Sequence, residues 1–136
     1  MDHVTLLQMA EAAREKAYAP YSHFQVGAAL LCASGKVYTG CNIENMSYSA
    51  TVCAERTALY KAVSEGERAF VAIAISGGPE GEQGGFCAPC GICRQVMAEH
   101  CTPGFEVVFQ QNKQVRICRL DELLAHAFTD LHQKGE

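Results

Sequence analysis

Three cysteines and one glutamate carry the chemistry most legible in this chain. Cys53-Ala54-Glu55 is followed by Pro89-Cys90-Gly91-Ile92-Cys93. Three thiolates can hold a zinc ion and leave its fourth position open to water or substrate, whereas a structural zinc site is closed by four protein ligands. A carboxylate two residues beyond the first cysteine gives such an open site its own acid/base. The spacing is far more specific than an isolated C-x-x-C. It predicts a catalytic metal centre with Cys53, Cys90 and Cys93 as ligands and Glu55 as the proton-handling group.

Other readings of the same thiols are weaker. Cys87-Ala88-Pro89-Cys90-Gly91-Ile92-Cys93 is a run of three cysteines, but an iron–sulfur run wants a further cysteine about four positions on, and position 97 is Met. A fourth thiolate from Cys87 would close the zinc site and make it structural. Cys90 and Cys93 at a helix start also resemble a redox pair, a reading that leaves Cys53 and Glu55 without a purpose. Cys32, Cys41, Cys101 and Cys118 read as small buried hydrophobes. The five histidines lack metal-ligand spacing and read as surface residues.

These residues must be positioned by elements, and the hydrophobic pattern supplies them. Val4, Leu7, Ala10, Ala13 and Ala17 fall on roughly one face of a first helix over Val4 to Tyr18, ended by Ala19-Pro20-Tyr21-Ser22. Phe24 to Cys32 and Lys36 to Cys41 read as strands joined tightly at Ser34-Gly35. Asn42 to Ser49 is polar and irregular. Thr51 is expected to cap a second helix that carries Cys53 and Glu55 and runs to about Ser64 before Glu65-Gly66. Phe70 to Ser76 is a short apolar run suited to a buried strand. Gly77 to Gly85 holds five glycines and a proline and reads as a mobile loop. Cys90 opens a third helix to about His100, followed by strands over Glu106 to Gln110 and Gln114 to Cys118 around a turn at Gln111-Asn112-Lys113. Leu120 to Ala125 reads as a short final helix before a polar tail.

The order αββαβαββα predicts a three-layer α/β sandwich: a mixed central sheet of about five strands covered by helices. It places Cys53 in the first turn of one helix and Cys90 with Cys93 in that of another, where two residues three apart share a face. Helix N-termini favour thiolate over thiol. Three thiolates and Zn²⁺ sum to −1, which weakens the metal as a Lewis acid. Arg56, next to Glu55, is expected to donate to one or two ligand sulfurs and drain that charge.

Composition narrows the function classes. At 136 residues, 49% hydrophobic and 19% charged, the chain suits one globular domain over 1–136. No stretch approaches the roughly 18 apolar residues of a membrane span. Met1-Asp2-His3-Val4 does not resemble a secretory signal, and eight cysteines without one point to reduced thiols and a cytoplasmic protein. A net charge of −4 with no Lys/Arg cluster favours a small substrate over a nucleic-acid polymer.

Beyond the metal residues, Ala19-Pro20-Tyr21-Ser22-His23-Phe24-Gln25-Val26-Gly27-Ala28-Ala29, Gly40-Cys41-Asn42-Ile43-Glu44-Asn45, Cys53-Ala54-Glu55-Arg56 and Pro89-Cys90-Gly91-Ile92-Cys93-Arg94-Gln95 make a long, nearly unbroken match. From end to end the chain resembles the small, homotetrameric, zinc-dependent cytidine deaminases, whose signature includes the cysteine spacing above. The resemblance implies one Zn²⁺ per subunit and hydrolysis of cytidine and 2′-deoxycytidine to uridine and 2′-deoxyuridine plus ammonia, in pyrimidine salvage. Zinc-bound hydroxide would attack C4, with Glu55 shuttling the protons. It further implies that Asn42 and Glu44 hydrogen-bond the ribose 3′-hydroxyl, that Phe24 lies against the pyrimidine, and that the Ala54 backbone contacts the base. Active sites of the family are shared between subunits, which makes Phe128 the candidate aromatic lent to a neighbour, with Tyr48 a second contributor. The longer Gly-rich loop and Cys87 within it depart from the usual pattern at the pocket rim. Two other readings remain open: a deaminase of the same fold acting on a nucleoside antibiotic or free base, and a non-enzymatic zinc or redox module.

Overall fold

The computed structural model describes residues 1–131. A five-stranded mixed sheet runs in the order β2-β1-β3-β4-β5, built from β1 (Phe24–Cys32), β2 (Val37–Cys41), β3 (Phe70–Pro79), β4 (Glu106–Gln111) and β5 (Gln114–Arg119). All neighbouring pairs are antiparallel except β3 and β4. That parallel pair needs a crossover, supplied by α3 (Gly91–His100).

Alternation along the strands gives the sheet two differently built faces. Ala29, Ala72, Ala74 and Val108 pack against Leu6, Leu7 and Ala10 of α1 (His3–Ala13). Their small side chains let that helix lie close. On the opposite face Ala28, Leu30, Ile73, Ile75, Val107 and Phe109 form the larger core, with Ala58, Leu59 and Ala62 of α2 (Ala54–Ser64), Cys93 and Met97 of α3, and Leu120 of α4 (Leu120–Leu123). The three-layer sandwich expected from the sequence is what the chain forms.

Several boundaries differ from the sequence reading, each for a local reason. The first helix ends at Ala13 and gives way to a single 3-10 turn at Arg14–Lys16. Val4 is exposed and Leu6 takes its place in the core. Lys36 stays in the turn, and the second strand starts at Val37. The N-cap of α2 is Cys53, not Thr51, because Val52 is still held in an extended bridge to Ile43. Cys90 is likewise the cap of α3 rather than its first residue. The final helix stops at Leu123, two residues short.

The Gly-rich stretch is not a free loop. Gly77 to Pro79 extend β3 alongside Phe24 to Val26 of β1, and Gly85 donates back to the Gly77 carbonyl over 2.8 Å. The histidines also depart from a uniform surface reading. His23 and His126 are exposed, but His3 and His100 are half-buried, and His3 Nε2 lies 2.9 Å from a Glu106 carboxylate oxygen. His132 and the end of the polar tail lie outside the described residues.

Candidate metal centre

The caps of two helices meet at one point. Cys53 caps α2, Cys90 caps α3, and Cys93 lies in the first turn of α3. Their sulfurs all fall within 4.8 Å of one another, and among the described residues they are the only such group. Cys53 Sγ and Cys90 Sγ are 3.7 Å apart. Tetrahedral sulfur ligands about 2.3 Å from a zinc ion stand about 3.8 Å apart, so the spacing fits the ion. The donor set fits too: three soft thiols suit zinc, and among the described residues no fourth His, Cys, Asp or Glu joins the group. Cys87, weighed as a closing ligand, is outside the cluster.

Electrostatics favour thiolate at Cys53. A hydrogen bond from the Cys93 thiol is the largest influence and Arg56 adds to it, so that the Cys53 thiol is held well below its ordinary range despite its burial. Cys93 moves upward as the donor in the same exchange. The Arg56 guanidinium stands 3.4 Å from Cys53 Sγ. Burial opposes its charge, but the sulfurs of Cys53 and Cys93 outweigh burial and raise its pKa.

Glu55 is 4% exposed. Burial, reinforced by the Cys53 thiolate, pushes its carboxyl up to about 7, which places it where a proton can be taken and given at neutral pH.

A pocket of about 200 Å³ opens over these groups, with Cys53, Ala54, Glu55, Cys87 and Cys90 on one side and Val26 and Asn42 on another. Its wall is mostly apolar, with Asn42, Thr51 and Glu55 as the oxygen-bearing side chains. Asn42 is held in place by both ends of its carboxamide: Oδ1 accepts from the Val26 amide over 2.9 Å, and Nδ2 donates to the Phe24 carbonyl over 2.9 Å. Each polar atom keeps one further hydrogen-bonding position. Cys87 is pushed up to about 12, by burial first and by Glu55 and Cys53 next, so it stays a neutral thiol in the wall.

The remaining residues singled out from the sequence do not line this pocket within one chain. Glu44 accepts from the Tyr21 and Ser22 amides over 3.0 and 3.1 Å and from the Ser22 hydroxyl, bonds that hold its carboxylate below the usual range. Phe24 is 39% exposed. Tyr48 is exposed and meets Tyr21 edge-on at 5.8 Å. Phe128 is exposed, and its carbonyl accepts from the Gln95 side chain over 2.7 Å. Thr51, expected only as a helix cap, lines the pocket, as do Val26, Val52 and Ala88, which were not singled out as site residues. Apolar side chains carry no chemical signal of their own, although Val26 and Ala88 sit beside residues that do.

An α/β/α sandwich presenting an open thiolate metal centre and a buried carboxylate to one small pocket has the layout of a hydrolytic zinc enzyme. The particular family follows from comparison with known proteins. The sequence model for the cytidine and deoxycytidylate deaminase zinc-binding region matches residues 1–109, and the chain belongs to that family. It is 52% identical over 131 residues to the cytidine deaminase of Halalkalibacterium halodurans, covering 95% of this chain and 96% of that protein. It is 48% identical over 130 residues to the cytidine deaminase of Sporosarcina psychrophila, covering 95% and 93%. The crystal structure of cytidine deaminase from Burkholderia pseudomallei superposes with a TM-score of 0.85 at 52% identity, covering 94% of this chain and 100% of that one.

Proposed function

We propose that this chain hydrolyses cytidine and 2′-deoxycytidine to uridine and 2′-deoxyuridine with release of ammonia, as a pyrimidine-salvage enzyme of the cytoplasm. The observation that carries the reading is Glu55, buried in the pocket wall two residues from Cys53 and beside the three converging sulfurs. The names of the relatives supply the substrate class.

Cys53, Cys90 and Cys93 would hold the zinc, which when bound supplies a water acidic enough to react at neutral pH. Glu55 takes a proton from the attacking water and places it on N3 of the ring as C4 becomes tetrahedral. It then takes the remaining proton from the new C4 hydroxyl and delivers it to the 4-amino group, and ammonia leaves as the C4 carbonyl forms. One carboxylate serves both transfers because burial raises its proton affinity and because its neighbours on the ring lie on one edge of the base. The apolar walls exclude bulk water and strengthen these exchanges.

In the same reading Asn42 spends its free hydrogen-bonding positions on the ribose 3′-hydroxyl, with Glu44 beside it. Phe24 covers the ring, and the Ala54 backbone contacts the base. Arg56 offsets the negative charge of the thiolates. Tyr48 and Phe128, exposed here, serve the sites of neighbouring subunits in a homotetramer.

The test is loss of ultraviolet absorbance on adding cytidine, run beside 2′-deoxycytidine, cytosine and other aminopyrimidines at equal concentration, with metal analysis of the same sample. Turnover of the two nucleosides with one zinc per chain is expected. Turnover of cytosine alone, or none with zinc bound, refutes the assignment. Sedimentation of the protein decides the tetramer.

A further inference from the structure

Arg14 is a charged side chain only 4% exposed, far from the sulfurs in sequence and absent from the pocket wall. It nevertheless holds segments that lead to both sides of the pocket. Its Nε donates to the Gln25 carbonyl over 2.9 Å, between Phe24 and Val26 on β1. Its two terminal nitrogens donate to the carbonyls of Gly78, Pro79 and Glu82 over 3.0, 3.3 and 3.1 Å. One of them also donates to Glu11 over 2.8 Å. Glu11 in turn accepts from the Ser76 hydroxyl and from the Gly84 amide, the latter over 3.1 Å. The pair thus ties β1 and both arms of the 76–85 hairpin to the end of α1.

Both tied segments lead straight into the site. On one side the Gln25 neighbours hold Asn42, through the Val26 amide and the Phe24 carbonyl. On the other, the hairpin returns at Gly85 and delivers Cys87, Ala88 and the ligand Cys90. The fit behind the wall is close. A Cβ on Gly77 would lie 2.8 Å from Cys87 Sγ, and one on Gly84 would strike Glu11 and Ser76. A planar guanidinium with five fixed donors can span these acceptors, and an ammonium cannot.

We propose that Arg14, held by Glu11, is a positioning residue that fixes the distance between the Val26–Asn42 wall and the Cys87–Cys90 wall, and so sets how well the nucleoside is gripped. The inference rests on the function proposed above for its kinetic readout, but not for its chemical one.

The test uses the zinc-loaded full chain carrying Arg14→Lys and, separately, Glu11→Gln, which keeps the side-chain shape and removes one charge. KM for cytidine should rise about tenfold in R14K, the scale of one lost charge-assisted hydrogen bond, and less in E11Q. Zinc content and kcat should stay close to those of the parent. Alkylation of Cys87 by iodoacetamide, followed by peptide mass spectrometry, should accelerate while the buried Cys32 and Cys118 stay protected. An unchanged KM, unchanged labelling of Cys87, or labelling that spreads to Cys32 and Cys118 overturns the proposal, the last because it marks general loosening. Should the parent protein fail to turn over cytidine, the function falls, and the labelling alone decides the role of Arg14.

Discussion

Arg56 lies one helical turn beyond Cys53, and its guanidinium donates to the Cys53 sulfur over 3.4 Å. Its Nε is buried with no hydrogen-bond partner among the described residues, an arrangement that costs on the order of 1–3 kcal/mol for a donor so placed. In the proposed function the charge of this side chain offsets that of the thiolates. Arg56→Ala should weaken zinc binding by about 10–100-fold, the usual effect of losing a group that supports a ligand. Competition with a chelator measures it. Unchanged zinc affinity, pH profile and rate in the variant remove Arg56 from the centre.

Glu55→Gln separates holding the metal from moving protons. The amide keeps the shape of the carboxylate in a wall where only 4% of the residue is exposed, so folding and zinc content should survive. The rate should fall by about 10²–10⁴-fold or more, since the proposed mechanism routes both proton transfers through this one group. Steady-state kinetics with metal analysis check both halves. Near-normal turnover removes the shuttle.

Acid stability should follow Glu11. Burial raises its proton affinity, but the Ser76 hydroxyl, the Gly84 amide and Arg14 together prevail, and the carboxyl sits below its ordinary 4.5. A group depressed in the folded state stabilises fully above its unfolded value and loses that contribution as pH falls through the lower, folded one. The loss therefore lies in the acid limb below about pH 4.5. Because the side chain is 39% exposed, solvent screening keeps the effect small. Glu11→Gln should flatten the acid limb of a stability–pH curve while leaving the neutral region lower and level. An acid limb as steep as the parent's removes the linkage.

The chemistry of this site was legible in the sequence because it is local. Cys53, Glu55, Cys90 and Cys93 announce themselves by type and spacing, and the apolar run from Phe24 to Cys32 with Ser34-Gly35 at the turn marks the first hairpin. What stayed hidden is held by distant partners. Arg14 meets Gly78 and Glu82 across 64 and 68 residues, and no periodicity reports such a contact. The glycines after Ser76 read as loop because they add no side chain to a strand pattern, yet Gly77 is paired in β3 and lies directly behind Cys87. Thr51 has the better capping chemistry, but Cys53 takes the cap because the extended bridge of Val52 to Ile43 delays the helix.

Gly40 should prove the most sensitive glycine for the site as a whole. It lies on β2 directly beneath α2, where an added Cβ would stand 2.5 Å from the Ala58 nitrogen and 2.6 Å from the Ala54 carbonyl oxygen. Both obstacles are backbone and cannot rotate away, so Gly40→Ala must lift the helix that carries Cys53, Ala54 and Glu55. Overpacking of this kind costs about 1–3 kcal/mol, and a shift of α2 against α3 should lower zinc affinity with it. Gly91→Ala is the contrast. Nothing lies within 4 Å of the added atom, the position opens α3, and Gly→Ala where alanine can adopt the native backbone stabilises by about 0.4–1 kcal/mol, chiefly by restricting the unfolded chain. Denaturant unfolding of the two zinc-loaded variants should therefore move in opposite directions from the parent. A Gly40→Ala protein as stable and as tightly metallated as the parent would mean that α2 is not seated on the strand in the way that aligns its cap with that of α3.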